Sequence, residues 1–481
     1  MTEYIRSRYK FIASVLLLIL LSASHGIAEE NLKHAEKISY KNFIDSIRQQ
    51  LPELRKNRLQ VEKAKNTVYG AGSTEDIYLS GETGYSKSDI LSQGTTTEKR
   101  DYSSKIGLTK KIARTGTEIS TGAAYNRTEY GNDGSTAYHY PSVYVKFNQS
   151  LLKNAFGTVD RYAVNNAKMQ YEIEKLREIE SNKTDMNYYK KLYFTWIEYR
   201  EELKMINSSI STSKKLAENI KNRFRSGMVN TADLYSSAAV VLKYQIAYEE
   251  LKTEMNAMES ELAIFFKELK DENKIPDDTE FFSFFTNSLA SEYPAITFDR
   301  TANAEIYRLT KNSLKYTADV SENKLLPQLD LVGEYTKKSE NETFTKSAEN
   351  LNSTDYYLGF SFSYPLQNTE NSSKLEETKL SIEEINSEYS ISQNSYNKSL
   401  DAIVSRYKDS RNLLTLREKR IETLEEKYRF ELQKYQQSQL DLETLINTSI
   451  DITNEKISLI QLKKQIIENY IDYSDLTEKI E

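Results

Sequence analysis

Apolar residues recur every three or four positions through two long segments, about residues 158–270 and 370–475. One such series in the first segment is Leu192, Trp196, Tyr199, Leu203, Ile206 and Ile210. Spacings that alternate between three and four residues average 3.5, which is the period of helices packed in a left-handed coiled coil. A helical run of roughly 70 residues extends on the order of 100 Å. The pattern therefore predicts very long helices that pack against partners.

Each helical segment is interrupted once by a short polar turn. The interruptions are "NRFRSGMVNTADLYSSA" at residues 222–238 and "YQQSQLDLETL" at residues 435–445. Gly227 suits the end of a helix because glycine adopts the left-handed conformation without a steric cost. Asn230 or Thr231 is a favourable cap for the helix that follows. Each segment therefore predicts a long helical hairpin.

Other segments alternate apolar and polar residues, which predicts β-strands. In "YYLGFSFSYPL" one face carries Tyr356, Leu358, Phe360, Phe362 and Tyr364. The segments "IYLSGETGY", "SVYVKFNQSLL" and "PQLDLVGEY" alternate in the same way. Such strands fit either a soluble sheet or a membrane barrel, where a tilted strand of roughly ten residues spans the bilayer. The tyrosine-tipped apolar faces favour a barrel, and because closed barrels need about eight strands, we expect several chains to contribute.

Two further alternating segments, "SSKIGLTKKI" and "TEISTGAAYNRTEY", are joined by "ARTGT" and predict an additional hairpin at about residues 102–130. Whether this hairpin enlarges the barrel or projects from it is left open by the pattern. The polar stretches "SKSDILSQGTTTEKRD" (86–101) and "TKKSENETFTKSAENLNSTD" (336–355) predict solvent-facing loops.

Composition excludes several kinds of chemistry. The chain has no cysteine and three histidines, which leaves no basis for disulfides, thiol nucleophiles or Cys/His zinc sites. The net charge is -6 and the two signs are mixed, so nucleic acid is not an expected partner. Carboxylate pairs such as Glu249 with Glu250 fit solvated helix faces. We therefore expect no enzymatic activity, no cofactor and no metal site.

The N-terminus predicts a secretory signal peptide at residues 1–28. Arg6, Arg8 and Lys10 precede the apolar run "FIASVLLLILL", and small residues at Gly26 and Ala28 suit cleavage before Glu29. No later segment approaches about 18 consecutive apolar residues, so we expect no membrane-spanning helix after it.

The chain also shows two similar halves. Placing Gly227 on Ser438 brings Phe224 onto Tyr435, Val229 onto Leu440 and Leu234 onto Leu445, which predicts two internal repeats. The predicted organisation is a signal peptide (1–28), an N-terminal helical segment (29–75), a first strand block (76–150), a first helical hairpin (151–270), an equatorial segment and helix (271–325), a second strand block (326–368) and a second helical hairpin (369–481).

In this order, several short motifs resemble those of the TolC-like outer membrane efflux proteins. They are "LLPQLDLVGEY", "LGFSFSYPL", "FNQSLLKNAFG" and the turns "FRSG" and "YQQS". The resemblance implies an α+β membrane protein: a homotrimer in which each chain gives four strands, apart from the additional hairpin, to one twelve-stranded outer membrane β-barrel. The barrel would be continued by a coiled-coil helical tunnel in the periplasm.

The implied function is a passive duct from periplasm to exterior, in a tripartite efflux or type I secretion system. Its partners would be a periplasmic adaptor (membrane fusion protein), an inner membrane RND or ABC transporter and outer membrane lipid. The alternative is a barrel-anchored coiled-coil surface protein resembling an adhesin, although such anchors usually gather their strands at one end of the chain.

The resemblance also assigns roles at the two turns, which would form the closed periplasmic tip. Family positions that link neighbouring coils fall on Asp233, Tyr435 and Leu440, and the last of these replaces an arginine. Positions of carboxylate rings fall on the neutral Thr444 and Asn447, while Asp441 and Glu443 fit either a constriction or the first turn of a helix. The residues expected to face the adaptor are Gly227, Met228, Val229, Asn230, Thr231, Ser438 and Gln439. Without the arginine, we expect packing rather than charge to hold the tip closed.

Overall fold

A computed structural model describes residues 36–92, 95–131, 136–266, 274–279 and 297–477, so the predicted signal peptide lies outside the described residues. The chain divides into two compact units. We call them the helical unit (residues 1–56, 181–301 and 394–481) and the sheet unit (residues 57–180 and 302–393).

The α-helices of the described residues are α1 (Tyr40–Gln50), α2 (Pro52–Ala71), α3 (Tyr162–Arg225), α4 (Thr231–Leu262), α5 (Ala302–Leu325), α6 (Phe344–Glu349), α7 (Thr369–Gln436) and α8 (Leu442–Thr477). The two predicted interruptions separate α3 from α4 and α7 from α8. With 64 residues in α3 and 68 in α7, the helices reach the predicted length. Within the described ranges, no helix is both long enough and apolar enough to cross a membrane.

The strands are β1 (Glu36–Ile38), β2 (Ile77–Ser92), β3 (Thr95–Ile112), β4 (Thr117–Tyr130), β5 (Thr136–Ser150), β6 (Lys274–Pro276), β7 (Gln328–Lys338) and β8 (Ser353–Ser363). In the helical unit β1 pairs with β6 in parallel. The sheet unit holds one antiparallel sheet in the order β2-β3-β4-β5-β7-β8. The strand blocks, more than 170 residues apart along the chain, therefore meet at the β5–β7 pair.

The predicted additional hairpin is part of this sheet. It forms β3 and β4, joined through a turn in which Gly116 has φ 70°, and it lies between β2 and β5. Gly107 and Gly122 lie opposite each other in the β3–β4 pair, and a Cβ at either would come within 2.7 Å of the Tyr144 hydroxyl of β5. The hairpin is thus locked into the sheet by ladder hydrogen bonds and by this ring, which covers both glycines.

The prediction that residues 86–101 form a loop is wrong. Residues 86–92 continue β2 and residues 95–101 begin β3, so these strands have 16 and 18 residues instead of roughly ten. Cross-strand ion pairs explain the extension: Lys87 lies 2.7 Å from Glu98, which also accepts a hydrogen bond from Arg100 at 2.6 Å. Such pairs let a polar segment retain strand pairing.

The core of the helical unit surrounds the first residues of α1 and the middle of α3. Phe43, Tyr193, Phe194 and Trp196 are fully buried there, together with side chains of α4 and α8. The Trp196 indole N–H donates to Glu259 at 2.8 Å, which satisfies the polar edge of the only tryptophan in the chain.

Candidate functional site

The first candidate surface is one face of the sheet, which we call the apolar face. Residues directly opposite each other in a ladder share a face, and the register places Leu79, Leu108, Val145, Leu331 and Phe360 on the same one. Its further large apolar members are Ile77, Ile106, Ile119, Val143, Phe147, Leu358 and Phe362. Phe360 and Phe362 are each 68 % exposed. A continuous exposed apolar surface of this kind marks contact with a membrane or another protein.

Tyrosines mark one end of the apolar face. Tyr85, Tyr102, Tyr125, Tyr335 and Tyr356 lie on it toward the β2–β3 and β7–β8 connections. Tyr85 and Tyr102 are direct partners, with ring centroids 5.1 Å apart. Tyrosines are enriched where a membrane meets water, because the ring is apolar and the hydroxyl is polar. Beyond them the same face becomes charged, for example in the Lys87–Glu98 pair.

The opposite face of the sheet is polar. Glu82 lies across from Lys105, and Asp101 accepts a 2.6 Å hydrogen bond from the Thr128 hydroxyl. A cavity of about 590 Å³ on this side is lined mostly by residues with polar side chains, among them Tyr140 and Glu334. The alternation of an exposed apolar face with a polar one is the pattern of barrel strands between lipid and an aqueous lumen.

The second candidate surface is the pair of turns in the helical unit, which we call the tip. In the first turn, Gly227 has φ 72° and the Met228 N–H donates to the Arg223 carbonyl at 2.9 Å. In the second turn, Ser438 has φ 61° and the Gln439 N–H donates to the Lys434 carbonyl at 2.9 Å. Both helices thus end in the same hydrogen-bonded left-handed turn. Ser438 thus adopts a left-handed backbone conformation that is unfavourable for residues other than glycine.

The helices that leave these turns are capped by predicted site residues. Asn230 accepts from the Asp233 N–H at 2.8 Å, and Asp233 reciprocates by accepting from the Asn230 N–H at 3.4 Å. Asp441 accepts from the Thr444 N–H at 2.7 Å and from its hydroxyl at 2.9 Å. These hydrogen bonds hold the pKa of Asp441 below its usual range. Both carboxylates therefore have a structural role in starting α4 and α8.

Tyr435 lies at the centre of the tip. It is only 7 % exposed and packs in a cluster with Ile220, Leu442, Leu445 and Ile446. Val229, Leu432 and Leu440 are partly buried against the same cluster. Burial raises the pKa of Tyr435. Among the described residues, its hydroxyl has no hydrogen-bond partner.

Arg223 is a tip residue that the sequence did not indicate. Its guanidinium lies over the Tyr435 ring, 4.7 Å from the centroid, and its Nη2 is 3.4 Å from the Ser438 hydroxyl. The cation therefore connects the end of α3 to the end of α7 through a cation–π contact. We call this contact the Arg223 clamp. Its partners are more than 200 residues apart, so no local pattern reveals it.

The remaining predicted tip residues have more exposed positions. Thr444 is half-buried and donates to Asp441, whereas Asn447 is exposed. The residues expected to face the adaptor, Gly227, Met228, Asn230, Thr231, Ser438 and Gln439, are exposed, and Val229 is half-buried. Their side chains or backbone are thus available on the surface of the tip.

A buried charge network lies elsewhere in the helical unit. Glu198 of α3 lies 3.0 Å from the Lys464 Nζ of α8. Glu202, one turn further along α3, is 6 % exposed, and burial together with the negative charge of Glu198 raises its pKa to about 7. Within the described ranges, no cluster of three or more His, Asp and Glu side chains is arranged to hold a metal ion.

Neither a protein-family model nor a curated protein matches the chain. Several solved structures do. CusC, from a study of its folding and transmembrane channel formation, superposes with a TM-score of 0.68 and 11 % identity, over 93 % of this chain and 94 % of that one. The outer membrane protein VceC of Vibrio cholerae superposes with a TM-score of 0.64 and 11 % identity, over 92 % of this chain and 96 % of that one. The Campylobacter jejuni CmeC outer membrane channel superposes with a TM-score of 0.64 and 12 % identity, over 91 % of this chain and 85 % of that one.

The chain therefore has the fold of the TolC-like outer membrane channels, along nearly the whole length of each of these proteins. At the level of the fold, the resemblance read from the sequence is confirmed.

Proposed function

We propose that this protein is the outer membrane channel of a tripartite efflux or type I secretion system and provides a passive duct from the periplasm to the exterior. The observation that carries the proposal is the two-faced sheet, in which exposed apolar side chains alternate with polar ones. The apolar residues of β2 from Ile77 to Tyr85 extend about 26 Å along the strand. For a tilted strand this corresponds to about 20 Å across the bilayer, close to the height of the apolar band of a membrane barrel.

The edges of the sheet support closure between copies of the chain. Within the described residues, β2 and β8 each pair on one side only, and an open edge is not tolerated in lipid. Each chain contributes six antiparallel strands, which is an even number, so β8 of one copy would run antiparallel to β2 of the next. A barrel built from several copies would therefore contain only antiparallel pairs.

The number of strands bears on the width of the duct. Three copies, as the family resemblance implies, give eighteen strands instead of the twelve expected from four per chain. Strands about 4.8 Å apart and tilted by about 40° give a backbone diameter of about 36 Å for eighteen strands and about 24 Å for twelve. The β3–β4 hairpin thus widens the outer membrane part of the duct.

The tip is proposed as the periplasmic gate. Asp233, Tyr435, Leu440, Asp441, Thr444 and Asn447 belong to this gate, and the exposed turn residues Gly227 to Thr231, Ser438 and Gln439 face a periplasmic adaptor. An inner membrane RND or ABC transporter supplies energy and selects the cargo. The packed cluster around Tyr435 favours a closed state that opens when the helices slide past one another.

Two neighbouring residues of β8 provide the test. Phe360 belongs to the apolar face and Ser361 to the polar face. An arginine facing lipid near the bilayer midplane costs about 2–4 kcal/mol per chain, whereas one in the lumen is tolerated. We expect Phe360→Arg to abolish the heat-modifiable outer membrane oligomer and Ser361→Arg to assemble but change single-channel conductance. Equal assembly of both variants, or a wild-type chain that purifies without lipid or detergent, would refute the proposal.

A further inference from the structure

The connection between β7 and β8 folds back over the apolar face of the sheet. Asn341 exchanges backbone hydrogen bonds with His139 of β5, at 2.8 and 3.2 Å. Ser347 of α6 is 1 % exposed, and its hydroxyl donates to the His139 carbonyl at 3.0 Å. The connection is therefore held against β5 by these three hydrogen bonds, one of which comes from the short helix itself.

Phe344 of α6 shows which face of the sheet the helix covers. Its ring meets the Tyr125 ring edge-on, with centroids 5.3 Å apart, and Tyr125 belongs to the tyrosine end of the apolar face. The Tyr125 hydroxyl is 2.6 Å from Nδ1 of His139, which fixes both rings beneath the helix. In the proposed barrel, α6 thus lies on the outer, lipid-facing side.

A groove of about 430 Å³ runs between α6 and the sheet. Its apolar lining comes from Ile106, Ala123, Val143, Phe344, Ala348 and Leu351. We call it the α6 groove. The volume is in the range of small-molecule sites.

The floor of the α6 groove is continuous with the apolar face. Ile106, Ala123 and Val143 are direct neighbours across β3, β4 and β5, in line with the other exposed apolar residues of that face. In a bilayer, the apolar material in contact with this surface is the acyl chains of the surrounding lipids. The groove is therefore open to acyl chains along the membrane surface.

A cation lies where the headgroup of such a lipid would be. Lys337 is the ladder partner of Val143, so it shares the apolar face, and it is exposed. It lies two residues after Tyr335 in β7, on the side of that tyrosine toward the β7–β8 connection. Lys337 has no ion pair with any described residue, whereas its neighbour Lys338, on the polar face, is paired with Asp355. Phosphate groups bind such a cation.

We propose that the α6 groove holds one acyl chain of an anionic, phosphate-bearing lipid of the surrounding bilayer, whose headgroup lies beside Lys337. The proposal rests on the membrane location of the apolar face. The bound lipid would fill the space between α6 and the sheet and hold the β7–β8 connection at the membrane surface.

The test uses the purified full-length oligomer, supplied with phosphatidylglycerol or phosphatidylcholine in detergent and examined by native mass spectrometry. We expect about one retained phosphatidylglycerol per chain, since each chain has a single α6 and one α6 groove beneath it among the described residues. Ala123→Phe fills the groove from the sheet and should remove the retained lipid. Val145→Phe is the matched control, because Val145 lies on the same face outside the groove.

A second pair of variants tests the headgroup contact. Lys337→Gln should lower the preference for phosphatidylglycerol over phosphatidylcholine about fivefold, whereas Lys338→Gln should leave it unchanged. If Ala123→Phe does not assemble, Ala348→Trp fills the groove from the helix instead.

The proposal would be overturned by a wild-type oligomer that retains neither lipid, or by groove-filled variants that retain as much as the wild type. Either result leaves the channel function intact, because that function is tested separately by the Phe360 and Ser361 variants.

Discussion

Removing the Arg223 clamp should open the proposed gate more often. The guanidinium lies 4.7 Å from the centroid of a Tyr435 ring that is 7 % exposed, while Arg223 itself is half-buried. Cation–π contacts contribute about 0.5–1 kcal/mol at exposed sites and about 2 kcal/mol when desolvated. We take about 1 kcal/mol for this intermediate case. Arg223→Ala should then change the closed-to-open ratio about fivefold per chain, and about a hundredfold if three tips open together.

Single-channel recording in planar bilayers measures this effect directly as open probability. Uptake of a large antibiotic by cells that produce the variant gives a second measure. Arg225→Ala is the matched control, since it removes the same charge from the exposed end of α3, two residues away. The variant should leave both measures near the wild-type value.

A double-mutant cycle isolates the contact itself. Tyr435→Leu keeps an apolar side chain in the cluster and removes the aromatic ring, so Arg223→Ala should have little further effect in that background. Equal open probabilities for Arg223→Ala and Arg225→Ala would show that the clamp does not hold the gate closed. Additive effects of Arg223→Ala and Tyr435→Leu would show that the two side chains act independently.

Three further substitutions test stability. Burial raises the pKa of Glu202 to about 7, so its contribution to the free energy of unfolding is fully present below about pH 4.5 and is lost as the pH rises through 7. Glu202→Gln should therefore stabilise the protein by up to about 3 kcal/mol at pH 8 and by almost nothing at pH 4. The thermal loss of helical circular dichroism measures this difference. An equal gain in stability at both pH values would exclude the Glu202 carboxyl as the cause. Ser438→Gly should raise the melting temperature, because relief of the left-handed serine is worth about 1 kcal/mol. Gly227→Ala should lower the melting temperature, through a similar loss in the free energy of unfolding. A Cβ at this position would meet open space, so the left-handed backbone conformation is the only source of strain. A lower melting temperature for Ser438→Gly or a higher one for Gly227→Ala would contradict the assignment of these turns.

Local patterns were enough to predict the two-faced strands. The alternation in β8 placed Leu358, Phe360 and Phe362 on one face, and the ladder with β7 confirms it. The prediction succeeds because side chains of a strand point alternately to opposite sides, whatever the strand pairs with. The turn at Gly227 was predicted for a similar reason, since φ is a local property of the residue and its neighbours.

The wrong and missing predictions depend on contacts between separate strands or helices. Residues 86–101 are polar and were expected to form a loop, but cross-strand ion pairs such as Lys87 with Glu98 extend the strands through them. The sequence indicated the hairpin that became β3 and β4, yet only the register with β2 and β5 placed it inside the sheet. Hydrophobic periodicity specifies which face is apolar, and does not specify which strand is the neighbour.

The tip likewise combines features that the sequence predicted with a contact that only the structure shows. The sequence predicted that Tyr435 belongs to it and that the missing arginine at Leu440 leaves packing as the main contact. The structure adds a cation from another helix, because α3 and α7 end side by side and bring Arg223 over the ring. Helix length, strand alternation and turn conformation depend on neighbouring residues and could be predicted from the chain alone. The Arg223 clamp, the raised pKa of Glu202 and the α6 groove arise from side chains that only folding brings together, so they follow from tertiary packing.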